Sequence, residues 1–121
     1  RVFKRAMDIE AIYQRGFQAR CDGRYAEARV ELTRVLSMDP RHVNARHQIA
    51  LIQGFEGDFD ESLNSLAALS REVPGNLEVL YDLAMTEMML GMYDEACAKF
   101  KKIISIDPSH SKAQQQLVYC P

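Results

Sequence analysis

The sequence predicts an all-α fold, a solenoid of repeated helix-turn-helix units, and three observations support this prediction. A Gly-x-aromatic-x-Glu stretch recurs every 34 residues, at 23–27, 57–61 and 91–95. A proline follows each stretch with the same period. A small residue comes directly after each glutamate, and an aliphatic residue comes seven positions later. Features that share one period three times indicate an array of structural repeats.

The period divides the 121 residues into three repeats with a short segment at each end. The repeats are 9–42, 43–76 and 77–110. Residues 1–8 do not match the end of a preceding repeat, and are a lead-in helix, a linker or an added segment. Residues 111–121 are predicted to be a terminal helix, either a polar cap or the start of a truncated fourth repeat.

The first helix of each repeat is predicted from its apolar spacing. Leu83 and Ala84 lie three and four positions after Leu80, so the three share one helical face. A glycine follows each of these helices, as Gly91 does here. Glycine adopts a positive φ without a steric penalty, which is typical of the residue that ends a helix.

The second helix of each repeat is predicted to lie between the glycine and the proline. It opens with acidic residues, such as Asp94 and Glu95, that favour the positive end of the helix dipole. It ends before the proline, which lacks a backbone donor and cannot continue the helix. Small residues occur on both helices and allow them to approach closely. They are Gly16, Ala50 and Ala84 on the first helices and Ala28, Ser62 and Ala96 on the second.

This pattern resembles the tetratricopeptide repeat, whose 34-residue unit is a helix-turn-helix. The resemblance covers 9–110 and implies a right-handed solenoid whose first-type helices line a concave face. Several residues depart from the family pattern, among them Arg15 and Glu87. Arg15 replaces an aliphatic residue, and we expect its side chain to reach towards solvent. Glu87 replaces a tyrosine, and either contacts a basic residue or faces a solvent gap.

The resemblance also implies which residues point into the concave face. Five apolar or aromatic side chains would anchor a ligand there: Tyr13, Phe17, Phe55, Tyr81 and Met85. Leu51 would extend this surface, and four polar side chains would orient the ligand: Asn44, Gln48, Glu78 and Asp82. We call these ten residues the predicted groove. The alternative for each apolar member is packing between neighbouring helices.

The predicted function is a non-catalytic protein–protein interaction module. Its concave groove would bind an extended or helical, largely apolar peptide of a protein partner. The alternative is a structural scaffold that self-associates through its solenoid ends, or packs against other parts of a longer parent protein. The absence of an initiator Met indicates a piece of such a protein.

The residues also predict what the groove does not bind. Some tetratricopeptide domains hold the C-terminal carboxylates of chaperone tails with Lys, Asn, Asn, Lys and Arg. The matching positions here are Tyr13, Phe17, Gln48, Glu78 and Asp82. None of them agrees, and two reverse the charge, so we expect no binding of an acidic chaperone tail. A partner with Lys or Arg at one end suits this surface better.

Composition excludes several other classes of protein. A net charge of −2 argues against nucleic-acid binding, and no stretch approaches the ~20 apolar residues of a membrane span, so no direct membrane insertion is expected. No nucleotide, metal or catalytic motif is present, so we predict no catalytic residues, no metal and no cofactor. His42, His47 and His110 are expected to be surface residues.

The cysteines favour a reducing compartment. Cys21, Cys97 and Cys120 are odd in number and widely spaced, with no CxxC pair. We therefore expect unpaired thiols and a cytoplasmic location, with a bacterial envelope role as the alternative.

Overall fold

The structure, a computed structural model, describes residues 1–121 and contains seven α-helices and no strand. The all-α prediction is therefore confirmed. The helices are α1 (Val2–Cys21), α2 (Tyr25–Met38), α3 (Val43–Phe55), α4 (Phe59–Glu72), α5 (Leu77–Met89), α6 (Tyr93–Ile106) and α7 (Ser111–Leu117). None of the helices is long and apolar enough to cross a membrane. The chain divides into two compact units, Arg1–Gly57 with α1–α3 and Asp58–Pro121 with α4–α7.

The three repeated glycines have the predicted conformation. The φ angles of Gly23, Gly57 and Gly91 are +78°, +91° and +81°, and no other type of residue has a positive φ. Each lies shortly after a first-type helix and before a second-type helix. A side chain would be strained at these positions, so glycine fixes the turn inside each helix pair.

The second-type helices α2, α4 and α6 also begin and end as predicted. Each has an acidic residue in its first turn and stops two residues before a proline, as α2 stops at Met38 before Pro40. The sequence therefore fixes both ends of these helices by local chemistry.

The first-type helices α3, α5 and α7 share a side-chain cap. The Nδ1 of His42 accepts a hydrogen bond from the Ala45 amide at 3.0 Å. The Nδ1 of His110 accepts from the Ala113 amide at 3.1 Å, and Asn76 caps α5 in the same way. The prediction of surface histidines is wrong for His47, which is buried inside α3. His42 and His110 are partly buried because they lie at helix starts and cap the helices.

In the first unit, α1 packs closely against α2. A Cβ atom added to Gly16 would lie 2.8 Å from the Cγ of Leu32, so only glycine permits this approach. The core around this contact is aliphatic and fully buried at Leu32, Val35 and Ile52. The lead-in segment is helical, since α1 runs without interruption from Val2.

In the second unit, Phe100 and Ile103 of α6 pack with Leu80 and Ala84 of α5. The short α7 adds Ala113 to this core. A disulfide between Cys97 in α6 and Cys120, which follows α7, holds the end of the chain against α6.

The expectation of unpaired thiols is therefore wrong for Cys97 and Cys120, and only Cys21 is free. The pairing depends on α7 folding back along α6, which brings together residues 23 positions apart. The spacing of the cysteines in the sequence does not predict that contact. With two of the three cysteines paired, the cysteines do not indicate a reducing compartment.

Two departures from the repeat pattern are matched by charged neighbours. Arg15 is exposed and its Nε lies 3.2 Å from a carboxylate oxygen of Glu31 on α2. Glu87 is buried and its Oε2 accepts from the Nζ of Lys99 at 2.8 Å. Of the two alternatives for Glu87, contact with a basic residue is the one found.

Candidate functional site

The first unit carries a partly exposed cluster of aromatic rings around an arginine. The guanidinium carbon of Arg20 lies 5.2 Å from the ring centre of Phe17 and 5.9 Å from that of Phe55. The ring of Tyr25 stacks on Phe55 with centres 5.7 Å apart. We call these four residues the aromatic cluster. Phe55 is exposed and the other three members are half-buried, and cation–π contact joins the arginine to two of the rings.

Phe55 is the most accessible member of the aromatic cluster. Its side chain is 55% exposed although phenylalanine is normally buried. Phe55 is the last residue of α3, where the helix no longer covers its ring. Leu51, one turn earlier, is half-buried, and Asn44 near the start of α3 is exposed. These three residues place apolar area and an amide along one helix.

Two other members of the predicted groove are buried in the first unit. Tyr13 is 8% exposed and lies in the core cluster, with its ring 5.2 Å from that of His42. Gln48 is 7% exposed, and its Oε1 has no hydrogen-bond partner. Tyr13 therefore supports Phe17, whose ring centre is 6.1 Å away, instead of offering area of its own.

In the second unit, Glu78 is exposed, whereas Tyr81, Asp82 and Met85 are half-buried. The ring of Tyr81 lies 5.8 Å from Phe100. Burial raises the pKa of the Tyr81 hydroxyl, and the charge of Asp82 raises it further, while a hydrogen bond with Gln116 lowers it. The net effect is upward, so the hydroxyl stays neutral at pH 7 and can hydrogen-bond as a phenol.

A pocket at the end of the second unit was missed by the sequence analysis. Met88, Tyr93, Gln116 and Tyr119 line it, with a volume of about 500 Å³. We call it the terminal pocket. Met88 belongs to the same helical stripe as Tyr81 and Met85, which was the available signal. Tyr119 gave no signal, because its place depends on how the segment after α7 folds back.

These surfaces offer aromatic rings, an arginine and thioethers, which are groups enriched in protein–protein interfaces. No group of three or more His, Cys, Asp or Glu side chains is placed to hold a metal ion.

Second-type helices of one length, 14 residues, with a glycine turn before each and a shared cap on α3, α5 and α7, define a helical-repeat protein. Residues 56–118 match the tetratricopeptide repeat family. This chain belongs to that family, a repeat fold of protein–protein interaction modules.

A curated relative is the human FK506-binding protein-like protein, which is 30% identical over 99 residues. That match covers 82% of this chain and 28% of the relative, so the chain spans little more than a quarter of that protein's length.

Solved structures show the same fold. YrrB, described as a TPR protein with an unusual peptide-binding site, is 24% identical with a TM-score of 0.76. That match covers 89% of this chain and 56% of YrrB. The first TPR of Spaghetti (RPAP3), bound to the HSP90 peptide SRMEEVD, is 14% identical with a TM-score of 0.81. That match covers 92% of this chain and 88% of the Spaghetti (RPAP3) chain.

Proposed function

We propose that this chain is a non-catalytic module that binds a largely apolar, extended or helical segment of a protein partner. The observation that carries this proposal is the aromatic cluster. In it the Arg20 guanidinium packs on the ring of Phe55, and about half of that ring stays exposed to a ligand. Exposed apolar area that is held in a fixed arrangement usually marks a binding surface. The family is typically non-catalytic, which supports the same conclusion.

The aromatic cluster supplies enough apolar area for specific recognition. Full burial of one phenylalanine side chain is worth about 1.5–3 kcal/mol before the costs of association are subtracted. Phe55 and Phe17 would supply most of this energy, with Leu51 beside them. Asn44 is exposed near the start of α3 and would orient the ligand by hydrogen bonds. Tyr13 and Gln48 would act from beneath this surface.

In the second unit, the exposed Glu78 and the half-buried Asp82 favour a basic ligand residue. Tyr81 and Met85 would add partly covered apolar contacts. A partner segment with Lys or Arg at one end suits this acidic surface. The HSP90 peptide held by the Spaghetti (RPAP3) domain is acidic, and we propose that this chain binds a different class of peptide.

A pair of matched substitutions tests the proposal. Phe55→Ser removes the exposed ring on α3, and Val30→Ser removes a side chain of similar exposure, 60%, on α2. Affinity purification from source extract with the wild type should capture a protein that the Phe55 variant loses and the Val30 variant keeps. A partner retained equally by both variants would contradict the proposal.

One observation favours the alternative of a self-associating scaffold. Val2, Phe3 and Met7 at the start of α1 are 85%, 77% and 58% exposed. An apolar helix face of this kind is suited to packing against another copy or another part of a parent protein. Sedimentation velocity over a concentration series distinguishes the two functions. A scaffold should grow with concentration, and Phe3→Ser/Met7→Ser should abolish that growth.

We also propose a compartment in which disulfides persist. The Cys97–Cys120 bond supports the envelope alternative over the cytoplasm, where thiols are usually kept reduced.

A further inference from the structure

The terminal pocket has the features of an anchor site for a single side chain. Met88 of α5, Tyr93 at the start of α6, Gln116 of α7 and Tyr119 line it. The side chains of Tyr93 and Tyr119 are 61% and 76% exposed, so neither is part of the hydrophobic core. A thioether and two accessible aromatic rings that line one pocket suit an apolar or aromatic side chain of a ligand.

One wall of the terminal pocket depends on the disulfide. Tyr119 follows α7, which has only seven residues and is too short to be stable by itself. The adjacent Cys120 is bonded to Cys97, which is buried in α6. The disulfide therefore fixes the position of Tyr119 relative to Tyr93, which begins α6.

The second unit, which holds the terminal pocket, is acidic. The second unit holds ten Asp or Glu against five Lys or Arg, a formal charge of −5, whereas the first unit is +3. Asp94 and Glu95 directly follow Tyr93, and both are exposed. Lys99, one of the five cations, is already paired with Glu87. A cationic ligand is complementary to this unit.

We propose that the terminal pocket anchors one apolar side chain of a cationic peptide, and that the pocket is complete only while Cys97 and Cys120 are joined. This inference rests on the proposed function. It adds a second site of contact with the peptide, and that site depends on the disulfide. The peptide places its apolar residue between the two tyrosines, and its Lys or Arg residues lie near the exposed carboxylates.

The redox step is thiol–disulfide exchange with a dithiol reductant. The dithiol supplies two electrons and two protons. The Cys97–Cys120 bond breaks to give two thiols, and the reductant becomes a disulfide. The segment that carries Tyr119 is then released from α6 and the peptide dissociates. Because coupling is reciprocal, bound peptide should also make the disulfide harder to reduce.

The probes are short fluorescein-labelled peptides with a central phenylalanine and serine spacers, flanked either by lysines or by glutamates. Fluorescence polarisation with the oxidised full chain should show saturable binding of the lysine-flanked peptide. Its affinity should be at least about tenfold higher than that of the glutamate-flanked peptide. Dithiothreitol should weaken binding by at least about tenfold, equivalent to a shift of about 30 mV in the disulfide potential on peptide binding.

Matched variants keep the test valid even if reduction disturbs the helices. Tyr119→Ala in the oxidised chain should reproduce most of the loss. Val118→Ala removes the neighbouring side chain, which is 79% exposed and does not line the pocket, and should bind as the wild type does. Far-UV circular dichroism checks that both variants stay helical.

Four results would each overturn the proposal: no binding of the lysine-flanked peptide, equal binding of the two peptides, unchanged affinity in dithiothreitol, or equal affinities of the Tyr119 and Val118 variants. Failure of the proposed function is seen separately, in the Phe55→Ser and Val30→Ser pair.

Discussion

At the scale of single residues, the chain has charged side chains at positions that the family fills with apolar or aromatic ones. Each of these side chains, Arg15 and Glu87, has a partner of opposite charge. Glu87 is the clearest case, because its carboxylate is buried and only one of its oxygens is bonded, to Lys99. A buried carboxylate that loses its cation is strongly destabilised. The stability of the second unit therefore depends on the ion pair between Glu87 and Lys99.

We expect Lys99→Met to lower the free energy of unfolding by about 2–3 kcal/mol. This is less than for a fully buried pair, because the Lys99 side chain is 26% exposed. Urea unfolding followed by circular dichroism measures the loss. Lys101→Met, an exposed neighbour on α6, is the control and should have little effect. Adding Glu87→Leu to Lys99→Met should restore most of the stability, and failure to do so would contradict this account.

Gly16→Ala is expected to destabilise the first unit by about 1–3 kcal/mol. The new Cβ would meet two atoms of Leu32 at 2.8 and 2.9 Å, and Leu32 is fully buried and cannot move away. The higher helix propensity of alanine offsets only part of this cost. Gly75→Ala, which meets no atom within 4 Å, is the matched control. A higher urea midpoint for Gly16→Ala than for the wild type would show that α1 and α2 are less closely packed.

At the scale of helices, the caps at His42, Asn76 and His110 repeat every 34 residues. Each accepts a hydrogen bond from the amide three residues later, which would otherwise lack a partner inside the helix. Neutral imidazole can serve here because one ring nitrogen is an acceptor.

His42→Ala should therefore cost about 1 kcal/mol more than His42→Asn, because asparagine keeps the cap. Both variants lose the contact with the ring of Tyr13, so their difference in urea unfolding isolates the hydrogen bond. Arg41→Ala, at the exposed neighbouring position, should be close to the wild type. Equal losses in the two His42 variants would assign the whole effect to the ring contact.

What could be predicted at this scale was local. The glycine turns and the helix ends at prolines follow from the backbone preferences of those residues. The Cys97–Cys120 bond, the arginine between two rings and the partner of Glu87 could not be predicted, because they depend on which helix faces meet. The predicted groove could be predicted only in part. Its spacing placed Phe55 on an accessible face, but the same spacing did not show that Tyr13 is buried.

At the scale of the whole molecule, the charge is divided unequally. The first unit has a formal charge of +3 and the second −5, although the whole chain is only −2. Net charge of one sign steers the approach of ligands and rejects those of the same sign. Discrimination between peptides should therefore depend on the second unit, where Glu78 is exposed.

The acidic peptide SRMEEVD, which the Spaghetti (RPAP3) domain binds, tests this discrimination. We expect its Kd for the present chain to be weaker than about 1 mM, measured by isothermal titration calorimetry. Glu78 and Asp82 lie where the resemblance implies cations in carboxylate-binding domains. Glu78→Lys should therefore raise the affinity, and Glu78→Lys/Asp82→Arg should raise it further. Glu61→Lys makes the same charge change at an exposed position on α4 and serves as the control. If Glu61→Lys were as effective as Glu78→Lys, net charge alone would govern selection, and Glu78 would have no specific place in recognition.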